Sequence, residues 1–198
     1  MAMPSLDCTR AALVVIDPQN WTLGMPIAPH TAETVLLNVA VLASAIRAKG
    51  GTLCLTRAAF SPGYADMLRV PVDIALPVPE GGIPPQALAF RPQADSLTPD
   101  IIITKRQWSA FYGTELDLQL RRRGIDTIIL AGVMTNFGVE STARDAWQHN
   151  YAPIVAEDAC SSLSSDMHRF SIENILPRIA RVRAAAAIQS AIRDGTDL

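Results

Sequence analysis

The chain has 198 residues, 49% hydrophobic and 18% charged, with 17 Lys and Arg against 19 Asp and Glu for a net charge of −2. That balance excludes general disorder, and no shift in composition marks a boundary, so a single domain over 1–198 is expected. Its one basic cluster, Arg121, Arg122 and Arg123 before Gly124, lacks the broad footprint of a nucleic-acid site and reads as the last turn of a helix, where cations complement the dipole.

Six aliphatic runs predict strands: 11–16 (AALVVI), 52–56 (TLCLT), 101–104 (IIIT), 127–131 (TIILA), 153–156 (PIVA) and 179–182 (IARV). They are continuously apolar rather than alternating, as strands buried on both faces of a parallel sheet are. Helical patterns fall between them. Residues 31–49 carry apolar side chains at 35, 36, 39, 42, 43 and 46 and stop at Gly50-Gly51. Residues 115–123 are capped by Thr114 and stopped by Gly124; 138–149, 165–176 (ending before Pro177) and 184–193 follow. The alternation predicts an α/β fold: a three-layer αβα sandwich around a six-stranded, mainly parallel sheet with right-handed crossovers, in the Rossmann-like order 3-2-1-4-5-6. Residues 58–99 interrupt it with Pro62, Pro71, Pro77, Pro79, Pro84, Pro85, Pro92 and Pro99. So long a connection is expected to cover the pocket or form an oligomer contact, with a short helix at 64–69.

Cys8, Cys54 and Cys160 form no CxxC pair and no disulfide framework, which fits a reducing cytoplasm. The first residues (MAMPSLDCTR) hold no apolar segment of signal-peptide length, and no run approaches the roughly 18 apolar residues of a membrane span. A soluble cytoplasmic protein with neither nucleic acid nor membrane as partner is expected.

In an open parallel sheet, ligands bind beyond the carboxyl ends of the strands, where strand order reverses. Asp17 ends the first strand, Arg57 the second and Lys105 the third, while 132–138 follow the fourth. A carboxylate and an ammonium at neighbouring strand ends can share a pocket and hold a transferable proton. The plainer alternative is that Asp17 caps a loop and Lys105 lies on the surface. In GVMTNFGVESTARDA (132–146) a strand turns into a helix near Gly138. Backbone N–H groups at such a turn favour an oxyanion or a carboxylate, unless Gly138 merely avoids a clash there. His30, His149 and His168 are scattered along the chain and read as surface or helix residues, so no metal is expected.

The stretches VVIDPQN (14–20), TKRQWSAFYGTELDLQLRRRGIDTIILAGVMTNFGVESTARDAW (104–147) and VAEDACSS (155–162) resemble the isochorismatase-like hydrolase superfamily, which includes nicotinamidases and other cysteine hydrolases. The likeness spans nearly the whole chain and is greatest to an uncharacterised bacterial subgroup with the KRQW-x-AFYGT and TN-x-GVESTAR stretches. It implies an Asp–Lys–Cys triad in which Asp17 and Lys105 match the first two members. Gly138 stands where the cysteine belongs. The resemblance also implies a non-proline cis peptide between Val133 and Met134, with the N–H groups of Met134 and Gly138 as oxyanion donors.

With glycine at 138 no thioester can form, and Cys160, after the fifth strand, is not expected to replace the thiol. The nicotinamidase type of metal cluster is also missing, since the region after the second strand reads RAAFSPGY, and no cofactor is expected. True isochorismatases, by resemblance, also carry glycine at this position. They hydrolyse a vinyl ether by acid protonation and water attack, a role open to Asp17 with Lys105 as its partner. Thr135-Asn136, however, resemble the cysteine-hydrolase side. Gln19, Arg57, Trp108, Asn136 and Phe137 are candidate substrate contacts, with Arg106 and Gln107 nearby; Trp108 and Tyr112 suit a core or an interface equally. The expected function is small-molecule hydrolysis without a covalent nucleophile. The alternative is an inactive relative that binds a small carboxylate or acts through assembly. The family resemblance further implies a homo-oligomer, dimer or tetramer.

Overall fold

In the first strand every side chain is buried, yet successive residues enter different cores. Ala11, Leu13 and Val15 pack in one hydrophobic cluster and Ala12, Val14 and Ile16 in another. That is the pleat acting on an all-apolar run: side chains alternate between faces, and both faces are covered. The computed structural model describes residues 6–75 and 82–196. Its strands are β1 (Ala11–Ile16), β2 (Thr52–Ala58), β3 (Ile101–Lys105), β4 (Thr127–Val133), β5 (Ala152–Ser161) and β6 (Arg181–Arg183). They form one six-stranded sheet in the order β3-β2-β1-β4-β5-β6, and every neighbouring pair is parallel.

The helices are α1 (Ala32–Ala48), α2 (Pro85–Leu88), α3 (Pro92–Asp95), α4 (Leu116–Arg122), α5 (Glu140–Gln148), α6 (Ser165–Phe170) and α7 (Ala185–Asp194). Residues of α1 and α7 (Val39, Leu42, Ile188) close one face of the sheet, and residues of α4 and α5 (Leu116, Leu120, Ala143, Ala146) close the other. Removing each such Leu or Ile from water contributes about 1.5–3 kcal/mol. Thr31 caps α1 by accepting from the Thr34 N–H, and beyond its end Gly50 and Gly51 donate to Arg47 and Ile46 carbonyls. Arg121 and Arg122 occupy the last turn of α4, and Arg121 also lies over the Tyr151 ring, 4.1 Å from its centroid.

Three expectations need correction. No helix forms at 64–69: a 3₁₀ turn at Pro62–Tyr64 takes its place, held because Asp66 accepts from the Ser61 N–H and hydroxyl. The 165–176 helix divides into α6, a wider π turn at Ser171–Ile175 and a 3₁₀ turn at Leu176–Arg178 that includes Pro177. The fifth strand runs well past Ala156. Its register with β4 jumps from Leu130↔Val155 to Gly132↔Cys160, so a bulge accommodates the acidic pair Glu157-Asp158 that would otherwise end an apolar strand. Asp158 then supplies α7 with the N-terminal cap its own sequence lacks, accepting from the Ala185 N–H at 2.6 Å. Of the proline-rich segment, residues 76–81, with Pro77 and Pro79, lie outside the described residues. Among the described residues no helix is long and apolar enough to cross a membrane.

Candidate functional site

Strand order reverses between β1 and β4, and the chain leaves β1 at Asp17 with a φ of 49°, a left-handed conformation for a non-glycine residue. Such a backbone costs about 1–3 kcal/mol and persists where its surroundings hold it. Here the Asp17 carbonyl accepts from the Gln19 N–H at 2.7 Å and the Thr22 hydroxyl at 2.5 Å. The turn aims the carboxylate across β2 toward β3. Lys105 Nζ donates to Asp17 Oδ2 at 2.6 Å and to the Gln107 carbonyl at 3.2 Å. Thr56 donates its hydroxyl proton to Asp17 Oδ1 at 2.9 Å. Asp17 is 6% exposed and Lys105 2%, so the pair is a buried ion pair, not a loop cap beside a surface lysine.

At the end of β4, Gly132 has a φ of +107°, and a β-carbon on it would stand 2.2 Å from the Ile16 carbonyl oxygen. Only glycine lets the two strand ends approach this closely. The Val133–Met134 peptide is cis, and Thr135–Val139 form a π turn leading into α5. Gly138 is buried in that turn. A β-carbon there would stand 2.8 Å from Ile16 Cγ2 and 3.5 Å from the carbonyl oxygens of Trp108 and Val133. The loop carrying Trp108 is pinned to α5: Ser109 donates to Asp145 at 2.5 Å, and the Ala110 N–H donates to the hydroxyl of Thr142, which itself bonds the Gly138 carbonyl at 2.7 Å.

The other expected contacts are sorted by the strand pleat. On β2, Thr56 faces Asp17, so its neighbour Arg57 points the opposite way; Arg57 is exposed and donates to Thr104 at 3.0 Å. Arg106 is likewise turned aside, donating to Asp66 at 2.8 Å. Gln19 is fully buried and spends both amide protons on the Ala58 and Leu88 carbonyls, at 3.0 and 2.7 Å, while accepting from the Ala58 N–H. It is a strut that fastens the stretch around α2 beside Asp17, where Asn20, Trp21 and Arg91 add backbone bonds to Ala89, Ala87 and Pro18. Thus part of the proline-rich segment does pack next to Asp17. Phe137 and Trp108 meet with ring centroids 4.9 Å apart, Trp108 half exposed. Asn136 accepts from the Ser162 hydroxyl and lines an open cleft of about 590 Å³ with Met167 and Phe170.

Sequence reasoning missed Thr56, whose only signal was its place one residue before Arg57. It also read the histidines as scattered, whereas β5's bulge brings two of them together: His30 Nε2 lies 2.9 Å and His168 Nε2 3.2 Å from Glu157 Oε1. Burial holds the His168 imidazole below its ordinary pKa against the opposing pull of Glu157. Burial alone would raise the Glu157 carboxyl, but hydrogen bonds from His30 and His168 outweigh it and hold that group low. Burial pushes the Cys54 and Cys160 thiols far above the usual thiol range, which disfavours the reactive thiolate.

Comparison with known proteins identifies the family. Residues 11–187 match the Isochorismatase domain model. The chain is 47% identical over 190 residues to the uncharacterized isochorismatase family protein YecD of Escherichia coli O157:H7, covering 96% of this chain and 100% of that one. It is 40% identical over 102 residues to the ureidoacrylate amidohydrolase RutB of Methylobacterium radiotolerans, a match that takes in 50% of this chain and 40% of that protein. In structure it superposes on an isochorismatase family protein from Burkholderia thailandensis with a TM-score of 0.89 at 38% identity, over 97% of this chain and all of the other. With the domain match spanning the whole sheet and the YecD likeness covering 96% of the chain, the chain belongs to the isochorismatase-like hydrolase family.

Proposed function

We propose that the chain hydrolyses a small molecule at the Asp17–Lys105 pair, with water as nucleophile and no covalent intermediate on the protein. The observation that carries this reading is the buried 2.6 Å contact between Lys105 Nζ and Asp17 Oδ2, together with a glycine at 138 packed against Ile16, the residue before Asp17. The pair holds one transferable proton. In hydrolysis of a vinyl ether such as isochorismate, that proton passes through Asp17 to the alkene carbon and an oxocarbenium ion forms. Water adds to that ion and returns a proton to the pair. The resulting hemiketal then breaks to a carbonyl compound and an alcohol, consuming one water overall. Thr56 on Oδ1 and Lys105 on Oδ2 hold the carboxyl in one orientation. The N–H groups of Met134 and Gly138, the oxyanion donors of a cysteine hydrolase by resemblance, are here the proposed donors to a substrate carboxylate, and the Trp108–Phe137 ring pair the proposed flank for a planar substrate.

The test is turnover of isochorismate and simpler enol ethers by the wild type and Asp17→Asn. Loss of a general acid lowers the rate about 10²–10⁴-fold; equal rates overturn the assignment.

A second reading, an inactive relative that binds a small carboxylate or acts through assembly, draws support from the Ile16 methyl and Trp108 carbonyl that close on Gly138. It is favoured if the wild type turns over no enol ether yet retains a small carboxylate. For assembly, exposed Leu68, Val70, Val72 and Ile74, with Trp108 and Tyr112, are the proposed contacts of a homo-oligomer. A monomer in sedimentation overturns that part.

A further inference from the structure

We propose that His30, Glu157 and His168 form a binding site for one divalent transition-metal ion, with Zn²⁺ the ion that best suits the donors. The ligand atoms His30 Nε2, Glu157 Oε1 and His168 Nε2 lie within 4.8 Å of one another, and each imidazole aims its Nε2 at the same carboxylate oxygen. Two imidazoles and one carboxylate are a borderline set that selects Zn²⁺ and its neighbours over Mg²⁺ or Ca²⁺, which want an all-oxygen shell.

Three further features make the cluster a site rather than a chance meeting. His168 is 3% exposed and its Nδ1 lies 2.8 Å from the Thr135 hydroxyl. An ion on Nε2 leaves the ring proton on Nδ1, and Thr135 Oγ1 then accepts it, the outer-shell bond that orients a ligating imidazole. The two rings stand nearly perpendicular, at 81° with centroids 5.5 Å apart, so their Nε2 atoms converge instead of stacking. Finally, His30 and Glu157 are each partly exposed, which leaves a path for the ion and room for water as a fourth ligand. The three ligands come from the segment before α1, from the β5 bulge and from α6. Thr135 opens the turn that carries Gly138, so a bound ion clips three parts of the fold to that turn.

The experiment uses the whole chain, freed of metal with a chelator. Titration with Co²⁺ is followed by its visible absorption and titration with Zn²⁺ by calorimetry. The expected result is one equivalent of either ion per chain. His30→Ala, a change at a partly exposed ring, is expected to weaken binding by at least about tenfold, as loss of even an outer-shell partner does. Glu157→Gln, which keeps the side-chain shape, is expected to do the same. The exposed ring of His149, stacked on Phe111, serves as the control, and His149→Ala is expected to bind as the wild type does. At equal concentration Zn²⁺ is expected to raise the thermal midpoint of the wild type and of His149→Ala by the same amount, and that of His30→Ala by less. No saturable binding, or binding unchanged in both His30→Ala and Glu157→Gln, overturns the proposal. None of these readouts depends on hydrolysis, so the result stands apart from the function proposed for Asp17.

Discussion

Ile16 Cγ2 lies 2.8 Å from the point where a β-carbon on Gly138 would stand, and Ile16 is fully buried. The last residue of β1 therefore fills the space that a side chain in the β4–α5 turn would need. Gly138 has an ordinary backbone conformation, so what excludes a side chain there is packing, not φ.

Any side chain at 138 should therefore act as overpacking. Gly138→Ala and Gly138→Cys are expected to lose about 1–3 kcal/mol in urea unfolding. Ile16→Ala removes the obstructing methyl, at about 2–5 kcal/mol of its own. The double variant Ile16→Ala/Gly138→Cys should cost less than the sum of the singles, by about 0.5–3 kcal/mol. Strict additivity, or a Gly138→Cys protein as stable as the wild type, would show that the methyl yields freely. If the double variant gains amidase activity, the remaining apparatus accepts a thiol at this position.

The buried pair should be asymmetric to mutation. Lys105→Met strands the Asp17 carboxylate without its ammonium, and the expected loss is about 3–5 kcal/mol. Lys105→Met/Asp17→Asn removes both charges and should be less destabilised than Lys105→Met alone. Chemical denaturation of the three proteins measures the difference, and a double variant worse than the single contradicts the pairing.

Cys54 and Cys160 should resist alkylation. Burial raises both thiols, so their thiolate fraction stays negligible as pH rises from 7 to 9, the interval in which an ordinary thiol ionises. Iodoacetamide with peptide mass spectrometry should label neither in the native protein at either pH, and both after denaturation. Rapid native labelling of Cys160 would reopen it as a nucleophile.

Asp158→Ala should loosen α7 specifically. The Asp158 carboxylate accepts from the Ala185 N–H, and loss of such a cap costs about 0.5–2 kcal/mol. Hydrogen exchange is expected to quicken in the first turn of α7 while β1 and β4 keep their protection. Uniform quickening across the sheet would mean that the bond supports the whole fold instead.

Gln19→Ala removes the side chain that satisfies Ala58 and Leu88, leaving buried backbone groups without partners at about 1–3 kcal/mol in all. Limited proteolysis near α2 should accelerate. If Gln19→Ala instead leaves stability intact and abolishes ligand binding, Gln19 contacts substrate after all.

The first four strands were legible because each is built on a short apolar run, and β1 is found at the residues its pattern marks; the sixth run, 179–182, is strand only from Arg181, and β6 continues to Arg183. The helix at 64–69 was misread because a polar, proline-flanked stretch carries little periodicity, and Asp66 bonds Ser61 and Arg106 rather than extending a turn. The strand Pro153–Ala156 was cut short because two acids look like a strand end, and only pairing with β4 reveals that they occupy a bulge.

The pairing of Asp17 with Lys105 was readable from sequence alone. Asp17 and Lys105 close their strands, Gly138 follows the fourth, and parallel order places such ends together. Which neighbours meet them was decided by tertiary structure. The pleat chose Thr56 over Arg57, and the crossing of β1 and β4 put Ile16 behind Gly138. The register jump in β5 carried Glu157 to His30 and His168. Local periodicity records which face a residue takes within its own element, whereas these contacts depend on how distant elements are ordered and shifted against one another.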